Sequence, residues 1–150
     1  MRIVIQRVSH ASVTINGICK SAIQEGFMIL VGIEESDNQE DADWLSKKVI
    51  NLRVFDDENG VMNKSILDIN GNILVISQFT LHASYKKGNR PSYIHAARPE
   101  IAIPIYEYFC NSLSKGLGKE VGTGEFGADM KVELLNNGPV TICMDSKNKE

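Results

Sequence analysis

Apolar residues recur at helical spacing in only two stretches of this 150-residue chain. Ala42, Leu45, Val49 and Leu52 form the first; Ala102, Ile105, Tyr106, Phe109 and Leu113 form the second. Steps of three and four put each set on one face of a helix. The remaining apolar runs are short, β-branched or alternating, which is how strands are written. A chain of this kind has to build sheet and cover it with its two helices. The expectation is therefore an α+β fold, a mixed β-sheet or barrel of about seven strands with two main outer helices. Residues 1–150 read as one domain, long enough for a sizeable core.

Ile3, Val4, Ile5 and Val8 predict an opening strand, and Ala11–Ile15 a second one ahead of the hairpin pair Asn16-Gly17. Phe27–Ile33 is a continuous apolar run suited to a core strand. Asp37 is the expected N-cap of the first helix, with Glu40 three residues on. Asp56–Gly60 reads as a loop and Ile73–Leu81 as a strand. The second helix is expected near Pro99, with Pro104 in about its first turn and Gly116 and Gly118 after its end. Met130–Leu134 and Val140–Met144 read as two closing strands paired across Asn136-Asn137-Gly138-Pro139, before a polar tail from Ser146.

Several function classes are disfavoured. The longest apolar run, Phe27–Val31, is far too short to cross a bilayer, and the N-terminus lacks the apolar core and cleavage site of a secretory signal. Three scattered cysteines, Cys19, Cys110 and Cys143, fit reduced thiols in a cytoplasmic protein better than a disulfide framework. No motif with metal-ligand spacing occurs, so neither a metal nor another cofactor is expected. Gly122-Thr123-Gly124-Glu125-Phe126-Gly127 matches G-x-G-x-x-G but lacks the buried strand before it and the long helix after it that dinucleotide binding requires. A net charge of −3 gives no global attraction for phosphate, so a nucleic-acid partner needs a local basic patch. Lys86, Lys87 and Arg90 supply the one candidate, as a phosphate-binding loop or merely a solvated one.

Three further features each carry two readings. Strand alternation puts Gln78, Thr80 and His82 on one face, so Thr80 with His82 is either a nucleophile and its base or two unrelated side chains. Such neighbours stand about 6–7 Å apart and parallel, which counts against the pair. Arg7 interrupts an apolar strand to pair with a carboxylate or to cap backbone carbonyls. Gly138-Pro139 is an ordinary turn or a cis unit whose carbonyls form a rigid acceptor pair for an ammonium group, approached closely because Gly138 has no side chain.

Ser77-Gln78-Phe79-Thr80-Leu81 followed by Lys87-Gly88-Asn89-Arg90-Pro91 closely resembles one signature of the D-aminoacyl-tRNA deacylases. Gly124–Met130 running into Asn136-Asn137-Gly138-Pro139-Val140-Thr141 resembles another, and Met1–Val8 is similar to the family's start. The resemblance spans nearly the whole chain. It implies a cytoplasmic homodimer that hydrolyses the ester joining a D-amino acid to the 3′-terminal adenosine of tRNA, with glycyl esters also open to attack. It implies that Gly138 and Pro139 enter the partner subunit's pocket, hold the substrate's amino group and reject L-side chains by collision. Ser77, Gln78, Phe79 and Thr80 match the catalytic side, where backbone N–H groups stabilise the oxyanion and the adenosine 2′-hydroxyl assists water. Phe126 and Met130 match the approach to the pocket, Arg7 is expected to brace the Gly-Pro turn, and Lys86, Lys87 and Arg90 to meet tRNA. Thr80 as covalent nucleophile, and a non-enzymatic RNA-binding dimer, are the alternatives.

Overall fold

The computed structural model describes every residue from Met1 to Glu150. In chain order the elements are β1 (Arg2–Ile15), β2 (Ile18–Ile23), β3 (Gly26–Gly32), α1 (Gln39–Asn51), β4 (Phe55–Asp56), β5 (Met62–Lys64), β6 (Asn72–Ser77), α2 (Pro99–Leu117), β7 (Gly122–Thr123) and β8 (Lys131–Asp145). A 3₁₀ turn, Phe79–His82, follows β6. The α+β expectation, a barrel-like sheet with two outer helices, is borne out.

The two predicted opening strands are a single strand of 14 residues, because Val8, His10 and Ala11 all keep partners on β8 (Asn136, Leu135 and Leu134), so the ladder carries across the junction. One edge of β1 pairs antiparallel with β3 from Arg2↔Gly32 to Val8↔Gly26, then with β2 from Ala11↔Ile23 to Ile15↔Ile18. Its other edge pairs with β8 along most of its length. β6 lies parallel to β3, and β7 parallel to β6. The Ser21 hydroxyl donates to the Thr123 carbonyl at 2.7 Å, drawing β2 against β7 and nearly closing the barrel.

The ladder between β1 and β8 slips between Val8 and His10, leaving Ser9 as an extra residue on β1. Such a bulge reverses the in–out phase of the strand. Ile3 and Ile5 accordingly join a cluster of 22 buried residues beneath the helices. Val8, Ala11 and Val13, on the opposite phase convention before and after the bulge, share the barrel interior with Ile23, Met28, Leu74 and Ile76. Both faces of β3 and β6 are thus covered, which explains their unbroken apolar sequences.

The cap of α1 differs from expectation. Asn38, not Asp37, is the N-cap: its side chain accepts from the Glu40 amide at 2.8 Å, while Asp41 accepts from the Asn38 amide at 3.0 Å. Asp37 is instead buried, receiving the Met1 ammonium and the Glu34 amide. Pro99 opens α2 as expected, and Pro104 sits in the second turn without ending the helix. Gly118 closes it at φ 76°, the left-handed conformation glycine adopts without penalty. The segment read as a plain loop at Asp56–Gly60 is the tip of the β4–β5 hairpin.

Candidate active site

The expected strand Ile73–Leu81 stops at Ser77. Gln78 donates its amide to the Val31 carbonyl at 2.6 Å, and the chain then turns into the 3₁₀ segment. This breaks the alternation on which the Thr80–His82 pairing rested. The Thr80 hydroxyl accepts from the Gln78 side chain, and His82 is buried with its Nε2 unpartnered. Thr80 therefore has no general base bonded to it. Phe79 and Thr80 begin the turn, so their N–H groups have no acceptor within it, and neither finds one elsewhere in the chain.

Beside this turn lies a cavity of about 250 Å³. Ser77, Gln78 and Phe79 form one wall, Phe126, Asp129 and Met130 another, and Val31, Ile33, Ile76, Ala97 and Ala102 the apolar floor. The structure thus brings together three of the four residues matched to catalysis with Phe126 and Met130. Phe126 is steadied by an edge-on contact with Tyr106, ring centroids 6.2 Å apart. Burial, reinforced by Cys110, raises the Tyr106 phenol well above its ordinary range, so it remains a donor, held by the Val75 carbonyl at 2.9 Å. Ala97, Ile33 and Tyr106 were missed as contributors. Only Tyr106 left a signal, as the one polar member of an otherwise apolar helical face. A larger hollow of about 580 Å³, between α1 and the ends of β1 and β8, contains none of the predicted site residues.

Gly138 and Pro139 take a different position from that expected of a hairpin turn. Lys131–Leu135 and Val140–Asp145 do not pair with each other; both halves of β8 pair with β1. Gln6 faces Thr141 and Val8 faces Asn136, so four residues, Asn137 to Val140, stand opposite Arg7 alone. The surplus is extruded as a short excursion, with Asn137, Gly138 and Pro139 exposed and the Gly138–Pro139 peptide cis. Neither residue lines the chain's own cavity.

Arg7 holds the base of this excursion. The residue is only 8% exposed, and its guanidinium donates from Nε to the Asn137 carbonyl at 2.9 Å and from NH1 to the Val54 carbonyl at 2.7 Å, with Asp56 at 3.3 Å. Both options read from the sequence, carboxylate pairing and carbonyl capping, are thus realised at once. On the other side Asn136 accepts from the Val140 amide at 3.1 Å and donates to the Thr141 hydroxyl at 3.1 Å. A Cβ on Gly138, whose φ is 139°, would lie 2.8 Å from Val140 Cγ2 and 2.9 Å from the Val140 nitrogen. Only glycine fits there.

Residues 4–145 match the family model described as D-Tyr-tRNA(Tyr) deacylase. The chain belongs to that family. A D-aminoacyl-tRNA deacylase of Phocaeicola vulgatus is 84% identical over 150 residues, covering all of both chains. One from Bacteroides fragilis is 81% identical over the same span. Among solved structures, the c-Myc DNA unwinding element binding protein is 41% identical, with a TM-score of 0.91 over 97% of this chain and 98% of its own. A probable eukaryotic D-amino acid tRNA deacylase, at 15% identity and TM-score 0.82 over 95% and 97% of the two chains, shares the fold. In this member of the D-Tyr-tRNA(Tyr) deacylase family, Lys86, Lys87 and Arg90 are exposed on the segment that follows the 3₁₀ turn. No three His, Cys, Asp or Glu side chains gather as a metal site, and no helix is long and apolar enough to cross a membrane.

Proposed function

We propose that this chain is a D-aminoacyl-tRNA deacylase, a hydrolase that cleaves the ester between a D-amino acid and the 3′-terminal adenosine of tRNA. The observation that carries the mechanism is the pair of unpartnered N–H groups on Phe79 and Thr80, beside a cavity that offers no nucleophile with its base. Water attacks the ester carbonyl, the tetrahedral oxyanion accepts from these amides, and the adenosine 2′-hydroxyl orients the water and relays its proton. The ester C–O bond then breaks, leaving the D-amino acid and a free 3′-hydroxyl on tRNA. A single oxyanion donor of this kind lowers a barrier by about 3–4 kcal/mol.

Selection between mirror images rests on the Gly138–Pro139 excursion. In a homodimer, this exposed element of one subunit enters the partner's cavity, and its carbonyls accept from the substrate's ammonium group. A D-side chain then points to open space, while an L-side chain meets main chain that Arg7 prevents from yielding. Glycyl esters, having no side chain, pass the filter. Phe126 and Met130 shape the approach, and Lys86, Lys87 and Arg90 meet the acceptor end. The enzyme works as one domain of residues 1–150 in the cytoplasm, where its substrate is made.

Incubation with D- and L-tyrosyl-tRNA tests the assignment: selective release of D-tyrosine is expected, and release no faster than in buffer would reject it. A non-enzymatic nucleic-acid-binding role, of the kind the name of the 41%-identical structure describes, predicts that latter result with binding retained.

A further inference from the structure

Beyond the cavity, one segment of the surface differs chemically from the rest. From Ala83 to Arg98 the chain carries Lys86, Lys87, Arg90 and Arg98 and no Asp or Glu, although the whole chain has a net charge of −3. The large aromatic side chains left most exposed fall in or beside the same segment: Phe79 at 54%, Tyr85 at 77% and Tyr93 at 38%. Ser84 and Ser92 exchange two main-chain hydrogen bonds, of 2.7 and 2.8 Å, that close the loop. Tyr85 and Tyr93 flank that closure, one toward the loop tip and the other toward the cavity. Tyr93 meets Phe79 edge-on at 5.0 Å, and Phe79 is itself a cavity wall. Tyr85 and Lys86 also border an open cleft of about 620 Å³, together with Arg2, Glu34, His82 and His95.

We propose that this segment is a stacking platform for the unpaired nucleotides preceding the terminal adenosine, with Tyr85 receiving a base and Lys86, Lys87 and Arg90 the phosphates. The inference rests on the deacylase reading and deepens it. Exposed aromatic faces cost free energy in water, and acid-free loops repel their own charges; both costs are offset when a single strand lies across them. Bases stack on aromatic side chains whatever their identity, so such a platform accepts any acceptor end that terminates in the same unpaired sequence. Duplex RNA hides its base faces, so the platform discriminates for single strand and against helix. Continuity from Tyr93 through Phe79 into the cavity lets the strand that grips the platform deliver its terminal ester to the Phe79 and Thr80 amides.

The test compares D-tyrosyl-tRNA with D-tyrosyl-adenosine, which carries the same ester and no preceding nucleotide. Tyr85→Ala is expected to lower kcat/KM on D-tyrosyl-tRNA about tenfold, through KM, and to leave D-tyrosyl-adenosine unchanged, while Tyr85→Phe keeps wild-type values. Independently of turnover, a microhelix RNA with 2-aminopurine in its unpaired 3′ end should show fluorescence quenching with wild type and Tyr85→Phe but not Tyr85→Ala. Equal losses on both substrates, or undiminished quenching with Tyr85→Ala, would overturn the platform. So would equal binding of a blunt duplex, Tyr85-dependent binding to anionic vesicles, or a change of oligomeric state in Tyr85→Ala. Failure of wild type to cleave either ester would instead reject the deacylase reading, with the quenching experiment still deciding whether the strand binds.

Discussion

Replacing Arg7 by Ala tests whether the Gly138–Pro139 excursion is held rigid from inside the protein. The guanidinium serves two main-chain carbonyls, at 2.9 and 2.7 Å, and a carboxylate at 3.3 Å. A hydrogen bond from a charged donor contributes about 1.5–3 kcal/mol. The Val54 carbonyl belongs to a residue only 8% exposed, so its loss falls at the upper end of that range, whereas Asn137 is exposed and its carbonyl regains water. The Asp56 side chain is 53% exposed, and a pair with so wet a partner contributes at most about 1 kcal/mol. The expected cost of Arg7→Ala is therefore about 3–4 kcal/mol, which for a domain of this size lowers Tm by about 10 °C. Asp56→Ala should lower it by no more than about 3 °C. Differential scanning calorimetry of both variants measures these shifts, and kcat/KM on D- and L-tyrosyl-tRNA measures the filter. Arg7→Ala is expected to cleave the L-ester detectably, because the excursion can now give way, while Asp56→Ala stays selective. An Arg7→Ala protein as stable as wild type, or one that loses D-activity without gaining any on the L-ester, would refute the bracing role.

Other expectations follow from the same geometry. Gly138→Ala, whose new Cβ would lie 2.9 Å from the Val140 nitrogen, should displace the exposed excursion, lowering D-tyrosyl-tRNA turnover more than tenfold while Tm changes little. Thr80→Val removes a hydroxyl engaged by Gln78 and not by a base, so substantial deacylation should persist; complete loss would favour Thr80 as the nucleophile. A tRNA ending in 2′-deoxyadenosine should be cleaved far more slowly, and an unchanged rate would remove substrate assistance. Burial raises the Asp41 carboxyl, but hydrogen bonds from Lys147, Ser146 and the Asn38 amide outweigh it and hold the group at about 2. Its folded value lies below its unfolded one, so its stabilisation is complete above about pH 4 and is lost as pH falls toward 2. Chemical denaturation of Asp41→Asn should accordingly show a flatter decline across that acid range than wild type.

Local chemistry made much of this protein legible before any tertiary contact was known. The spacing of Ala42, Leu45, Val49 and of Ala102, Tyr106, Phe109 marked both helices, because a 3.6-residue period needs only near neighbours to express itself. β3 declared itself as a core strand for a similar reason: a strand buried on both faces has no polar positions. Pro99 and Gly118 bounded α2 through backbone preferences that each residue carries alone. The signatures around Ser77–Thr80 and Gly138–Pro139 pointed to the family as a whole. Cap identity was less secure: Asp37, Asn38 and Asp41 are all good cap residues, and the choice among them fell to the Met1 ammonium, which claims Asp37.

Only the folded chain decided how those pieces meet. Alternation placed Thr80 and His82 on one face, yet the strand ends at Ser77 once Gln78 bonds to Val31, and the nucleophile–base pairing dissolves. Asn136-Asn137-Gly138-Pro139 has the composition of a hairpin turn, and it would be one if the flanking strands sought each other. They are instead both claimed by β1, whose 14 residues span the pair, so the surplus is pushed outward over Arg7. Residue preferences report what each segment can do with its own atoms. Which partner a strand takes depends on residues more than a hundred positions away, and that register put the excursion outside the cavity it is proposed to serve in a second subunit.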